Sequence, residues 1–277
     1  MIGRTRTEGG THRPSGRDSD RQAGQREAPA PAETPAGNVA GRRLDERPLS
    51  NSVALVTGAG RGIGRATAIA LAALGARCVL TARTPGGLEE TDDLIRAGDG
   101  PAATLLPLDL ADGGSIDRLG PTIHERFGRL DILVHAAAAL GALTPVPHGT
   151  DRDWTAAMAV NLHAPWRLIR TAAPLLERAP AGRAVFLGCD ILRSPAAPDA
   201  FWGMYAAGKA ATAALVRSWA DEMRHHAGLR ILLHDPGPAR TRLRALALPG
   251  EDPAALPSPD EAGRVIAGLC LPVRHTP

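Results

Sequence analysis

From about residue 52 the apolar positions of the chain alternate between two periods. Short apolar runs at 53–57, 77–81, 103–107, 131–136, 183–188 and 229–234 have the length and residue types of buried strands. Between them lie longer stretches with the 3.6-residue period of helices: 63–74, 87–97, 115–127, 151–178 with Pro165 inside it, 204–226 and 259–270. Alternation of this kind predicts a parallel sheet with right-handed crossovers and helices on both faces. The fold class read from the pattern is α/β: a doubly wound parallel sheet in three layers, α/β/α, forming one domain over residues 50–277. Residues 1–49 show neither period. They are rich in Arg, Gly, Pro, Ala and acids, lack aromatics, and read as a disordered tail.

Composition narrows the picture. An apolar fraction of 44% can fill a sizeable core, and with aromatics at 3% that core is built from Ala, Leu, Val and Ile. A net charge of +3 gives no strong pull toward nucleic acid. Cys78, Cys189 and Cys270 are odd in number and widely spaced, with no CxxC or Cys/His cluster. This argues against disulfides and a metal site and for a reducing, cytoplasmic setting. No run of about 18 apolar residues occurs, so no membrane span is expected. The N-terminus lacks the apolar segment of a secretory signal.

The first strand runs into Thr57-Gly58-Ala59-Gly60-Arg61-Gly62-Ile63-Gly64, where a helix opens at once. Glycines let a backbone approach a pyrophosphate closely, and a helix N-terminus offers free N–H groups and a positive dipole end. This marks a dinucleotide site. An NAD site places an acid about 20 residues further on, against the ribose 2′-hydroxyl. The chain has Thr81-Ala82-Arg83-Thr84 there, and Arg61 adds a second guanidinium from the loop. Arginine suits a phosphate, so NADP is preferred, with NAD still possible. Asp109, followed by Leu110 after the third strand, either caps a turn or accepts a bond from the adenine amino group.

The only tyrosine and the only lysine of the chain, Tyr205 and Lys209, stand four residues apart on one helix. At that spacing they share a face. An ammonium beside a phenol favours the phenolate, which predicts a Tyr205 pKa lowered from about 10 toward neutrality, as a general acid/base requires.

These residues, in this order, resemble the short-chain dehydrogenase/reductase family over about residues 52–270. The likeness rests on the glycine loop at 57–64, Asp109, Asn161 in Met-Ala-Val-Asn-Leu, Tyr205 with Lys209, and Asp-Pro-Gly-Pro-Ala-Arg-Thr at 235–241. It implies a Rossmann-fold oxidoreductase that moves a hydride between NAD(P) and a carbonyl or alcohol, with a homodimer or homotetramer as the assembly. By the same resemblance Tyr205 passes the proton, Lys209 lowers its pKa and holds the nicotinamide ribose, and Asn161 holds a relay water. Pro236, Gly237 and Thr241 flank the nicotinamide, and 238–258 forms a lid.

Three departures stand out. The family serine after the fifth strand is replaced. Alignment by the strand puts Cys189 in its slot, as a weak donor or as a packed small residue, with Asp190 and Ser194 nearby. The family Asn-Asn-Ala-Gly after the fourth strand reads His135-Ala136-Ala137-Ala138, with Ala136 expected to meet the cofactor through its backbone. The chain also stops too early for a seventh strand. The missing serine motivates an alternative: a non-catalytic nucleotide-binding sensor or scaffold. Trp154 and Trp166 read as core or interface, Phe201 and Trp202 as shaping the substrate pocket, and His225-His226 as closing a helix.

Overall fold

The computed structural model describes residues 47–189 and 200–272. The expectations for Asp190, for Ser194, for 273–277 and for all but the end of the N-terminal tail lie outside the described residues.

Six parallel strands form one sheet: β1 (Val53–Thr57), β2 (Arg77–Ala82), β3 (Thr104–Pro107), β4 (Ile132–His135), β5 (Gly182–Leu187) and β6 (Leu229–His234). Their order is β3-β2-β1-β4-β5-β6. The chain therefore reverses direction across the sheet between β1 and β4, which is where doubly wound sheets open a ligand crevice at the strands' carboxyl ends. Strands β1, β4 and β5 are buried at every position, as central strands covered on both faces must be. Their alternate residues feed two cores. Ala54 and Val56 meet Leu71, Leu88, Ile95 and Ile266 on one face. Val53 and Leu55 meet Ile116, Ile123, Leu168, Val216 and Trp219 on the other.

The helices are α1 (Gly62–Ala73), α2 (Pro85–Ala97), α3 (Gly113–Asp117), α4 (Leu119–Phe127), α5 (Asp151–Met158), α6 (Ala164–Leu176), α7 (Gly203–Glu222), α8 (Arg242–Ala247) and α9 (Pro259–Leu269). Two stretches expected as single helices are interrupted, and each break has a proline behind it. Pro121 has no N–H for the Asp117 carbonyl one turn back. The Thr171 hydroxyl donates to that carbonyl instead, at 3.0 Å, and the chain divides into α3 and α4. Pro165 likewise leaves the Asn161 carbonyl without its helical donor, and the Thr212 hydroxyl on α7 supplies one. Here α5 passes through a π-helical turn, Ala159–His163, before α6 begins.

Other boundaries move too. Residues 47–49, placed in the tail on sequence, are folded: Leu49 is buried and its N–H donates to the Leu74 carbonyl at 2.9 Å. Helix α7 ends at Glu222, so His225 and His226 lie in the turn beyond it rather than closing it. Trp154 and Trp166 are 49% and 41% exposed and are not core. No described helix is long and apolar enough to cross a membrane.

Candidate active site

The glycine loop sits at the β1–β4 crevice. Gly58 has φ +68°, and a Cβ on it would stand 2.9 Å from the Ala137 backbone. A Cβ on Gly64 would meet the Gly58 carbonyl oxygen at 2.3 Å. Only glycine permits this coil, because both the left-handed angle and the close approach exclude a side chain. Helix α1 then starts after an extended Arg61 that provides no side-chain cap. Its first N–H groups have no side-chain cap, so this glycine-lined helix start fits a phosphate group. Arg61 and Arg83 are exposed on either side. Neither is paired with a carboxylate among the described residues. Thr241 comes across from the far side, its methyl 3.3 Å from where a Gly62 Cβ would be. Its hydroxyl caps α8. Gly237, at φ +70°, donates to Asp235 at 2.9 Å and turns the chain toward Thr241. Asp109 accepts from the Ala111 N–H at 2.9 Å, which is the turn-capping alternative. Leu110 is buried in the core beneath.

The second cluster forms where β5 ends and α7 begins. Tyr205 and Lys209 are both buried, and the Lys209 ammonium lies 5.9 Å from the tyrosine ring centroid. That ammonium donates to the Leu187 carbonyl at 2.9 Å. The Tyr205 hydroxyl shares a hydrogen bond with the Cys189 side chain. Cys189 is half-buried and packs against the Trp202–Tyr205 cluster, as expected of a packed small residue, while bonding to the Tyr205 hydroxyl. Trp202 is buried edge-on against Tyr205, with Ala138, Leu140, Leu243, Leu248 and Cys189 around the pair. Phe201 behaves differently: it is 53% exposed, on a left-handed backbone.

The electrostatics correct one expectation. Burial raises the Tyr205 phenol above its ordinary value, and the hydrogen bond and charge of Cys189, with the charge of Asp235, push the same way. Burial therefore outweighs the lowering expected from Lys209. The same burial pulls Lys209 down to about 8, against Cys189 and Asp235, which favour the ammonium. Each group loses its hydration, and both neutral forms gain.

Asn161 is placed by the π-helical turn. Its side chain accepts from the Ala139 N–H at 2.9 Å and donates to the Ala139 carbonyl at 2.7 Å. It staples the 136–142 stretch to the π-helical turn. Gly208 lets α7 close on it, since a Cβ there would stand 2.6 Å from the Asn161 Cβ. His135 is fully buried at the end of β4, its Nδ1 2.8 Å from the Thr57 hydroxyl. Burial and the nearby Lys209 pull it down to about 3, so it stays a neutral imidazole. Ala136 runs alongside Gly58, backbone to backbone.

The sequence pattern of the short chain dehydrogenases matches residues 52–251. The chain belongs to the short-chain dehydrogenase/reductase family. The oxidoreductase YciK of Escherichia coli is 34% identical over 213 residues, covering 76% of this chain and 82% of YciK. Galactitol 2-dehydrogenase of Agrobacterium fabrum is 31% identical over 195 residues, covering 68% and 71%. A short chain dehydrogenase from Shigella flexneri, solved in complex with NADP, superposes with a TM-score of 0.75. It has 32% identity over 81% of this chain and 93% of that one. Within this short-chain dehydrogenase/reductase, sequence reading missed Thr212, although a proline four residues after Asn161 signals a carbonyl that needs a new donor. It also missed Arg244, which pairs with Glu251 at 2.7 Å and comes close enough to Cys189 to feel its charge. No pattern in the sequence points to that pairing.

Proposed function

We propose that this chain is an NADP-preferring oxidoreductase acting on a small or medium apolar carbonyl or the matching alcohol. The observation that supports it most is the meeting of Tyr205, Lys209 and Cys189 at the end of β5, within apolar walls, on the same sheet edge as the glycine loop. Gly58, Gly62, Ile63 and Gly64 would hold the pyrophosphate, and Arg61 with Arg83 the ribose phosphate. Asp109, Leu110 and Ala136 would line the adenosine side, and Lys209, Pro236, Gly237 and Thr241 the nicotinamide end. When bound, the cofactor supplies the hydride. Tyr205, kept protonated by burial, gives its proton to the carbonyl oxygen as charge develops there. The Cys189 thiol stands beside that oxygen as a weak donor. Lys209, pinned at Leu187, places a positive charge behind the phenol and stabilises the phenolate left after transfer. Trp202, Leu243 and Leu248 exclude water.

In this reading Tyr205→Phe abolishes turnover on a panel of aldehydes and ketones while NADPH still binds, as followed by its fluorescence. Survival of activity would falsify the mechanism. The replacement of serine by a thiol supports a second reading, a nucleotide-binding sensor or scaffold. Wild-type protein that binds NADPH and consumes no substrate decides for it. A cytoplasmic homodimer or homotetramer goes with the first reading, and sedimentation tests the assembly.

A further inference from the structure

The glycine loop is held from outside by side chains that no nucleotide would touch. Arg65, on α1, donates to the Gly60 carbonyl at 2.6 Å and is gripped by both oxygens of Glu90, at 2.6 and 2.7 Å. Thr91, next in sequence on α2, shares its one hydroxyl proton between the Ala59 carbonyl at 2.9 Å and the Gly87 carbonyl at 2.8 Å. Two consecutive loop carbonyls are thus contacted from α1 and α2, while the Ala59 N–H donates to the Thr81 carbonyl at 3.2 Å. The first turn of α2 touches the loop directly: a Cβ on Gly87 would stand 2.9 Å from the Gly60 oxygen. Arg65 holds this geometry although its Nε is buried without a partner, a cost that bonding to Glu90 and Gly60 offsets. With its terminal nitrogens committed, Arg65 is not a phosphate ligand. Arg83 lies two residues before α2 and Arg61 on the loop, so whatever fixes α2 to the loop fixes the spacing of the backbone from which those two guanidinium groups extend.

We propose that Glu90 and Thr91 are positioning residues that set cofactor selectivity, by holding Arg61 and Arg83 in register for one 2′-phosphate. This rests on the reading of the loop as an NADP site. The test measures dissociation constants of NADPH and NADH by fluorescence on the full chain. Glu90→Ala, at an exposed position, is expected to weaken NADPH about tenfold and NADH less than about threefold, with kcat kept. Thr91→Val shifts NADPH the same way, and Thr91→Ser, which keeps the hydroxyl, restores it. An unchanged NADPH constant in Glu90→Ala, or equal loss for both nucleotides, overturns the proposal while leaving the site intact. Wild-type protein that binds neither nucleotide overturns the nucleotide reading along with it.

Discussion

A phenol one helical turn from an ammonium is pulled toward ionisation by charge and away from it by burial. At Tyr205 burial wins, with the Cys189 side chain and the charge of Asp235 acting in the same direction. Lys209 carries the matching cost. Its folded pKa is about 8 against an ordinary 10.5, so the unfolded chain holds the extra proton between those values. Stability therefore rises with pH through that window, and the full penalty is present below it. Lys209→Met is expected to abolish turnover yet stabilise the fold at pH 7 by about 1–3 kcal/mol. That gain shrinks at pH 10, and urea unfolding at both pH values checks it. His135 works in the opposite range. It titrates at about 3 when folded and 6.5 when unfolded, so its contribution is complete above 6.5 and lost as pH falls toward 3. Between pH 6.5 and 5 this costs about 2 kcal/mol. His135→Asn should flatten that acid loss in the same assay, and an unaltered acid slope would refute it.

At the scale of elements, two prolines cut helices and two threonines repair the cuts. Thr171 serves Asp117, and Thr212 serves Asn161. The consequences differ because only the second repair lies under the site. Thr171→Val and Thr212→Val should each cost about 1–3 kcal/mol in denaturant unfolding, as a carbonyl loses its donor. Thr212→Val should also lower kcat, since Asn161 holds the 136–142 stretch through Ala139. Thr171→Val should leave kcat alone. Equal kinetics in the two variants would separate the π-helical turn from catalysis.

For the whole molecule, a cradle formed in the folded chain and lost on unfolding makes its ligand a stabiliser. NADPH at about 100 times its dissociation constant should add about 2.7 kcal/mol, or roughly 5–10 °C in melting temperature for a domain this size. A melting curve unmoved by NADPH would argue against the site. Alternation of apolar runs was enough to give the doubly wound sheet, because a strand buried on both faces must read as a continuous apolar segment. The glycine loop and the Tyr205–Lys209 pair were legible for a similar reason: each is local, and backbone freedom or helical spacing is written in neighbouring residues. The ionisation of Tyr205, the grip of Asn161 on Ala139 and the tie between Glu90 and the loop were not legible. They depend on which groups lose water and which distant partners meet across the packed layers. Sequence alone determined the elements and the local chemistry; tertiary structure decided the charge states and the long-range hydrogen bonds, since desolvation and contact exist only once the layers close.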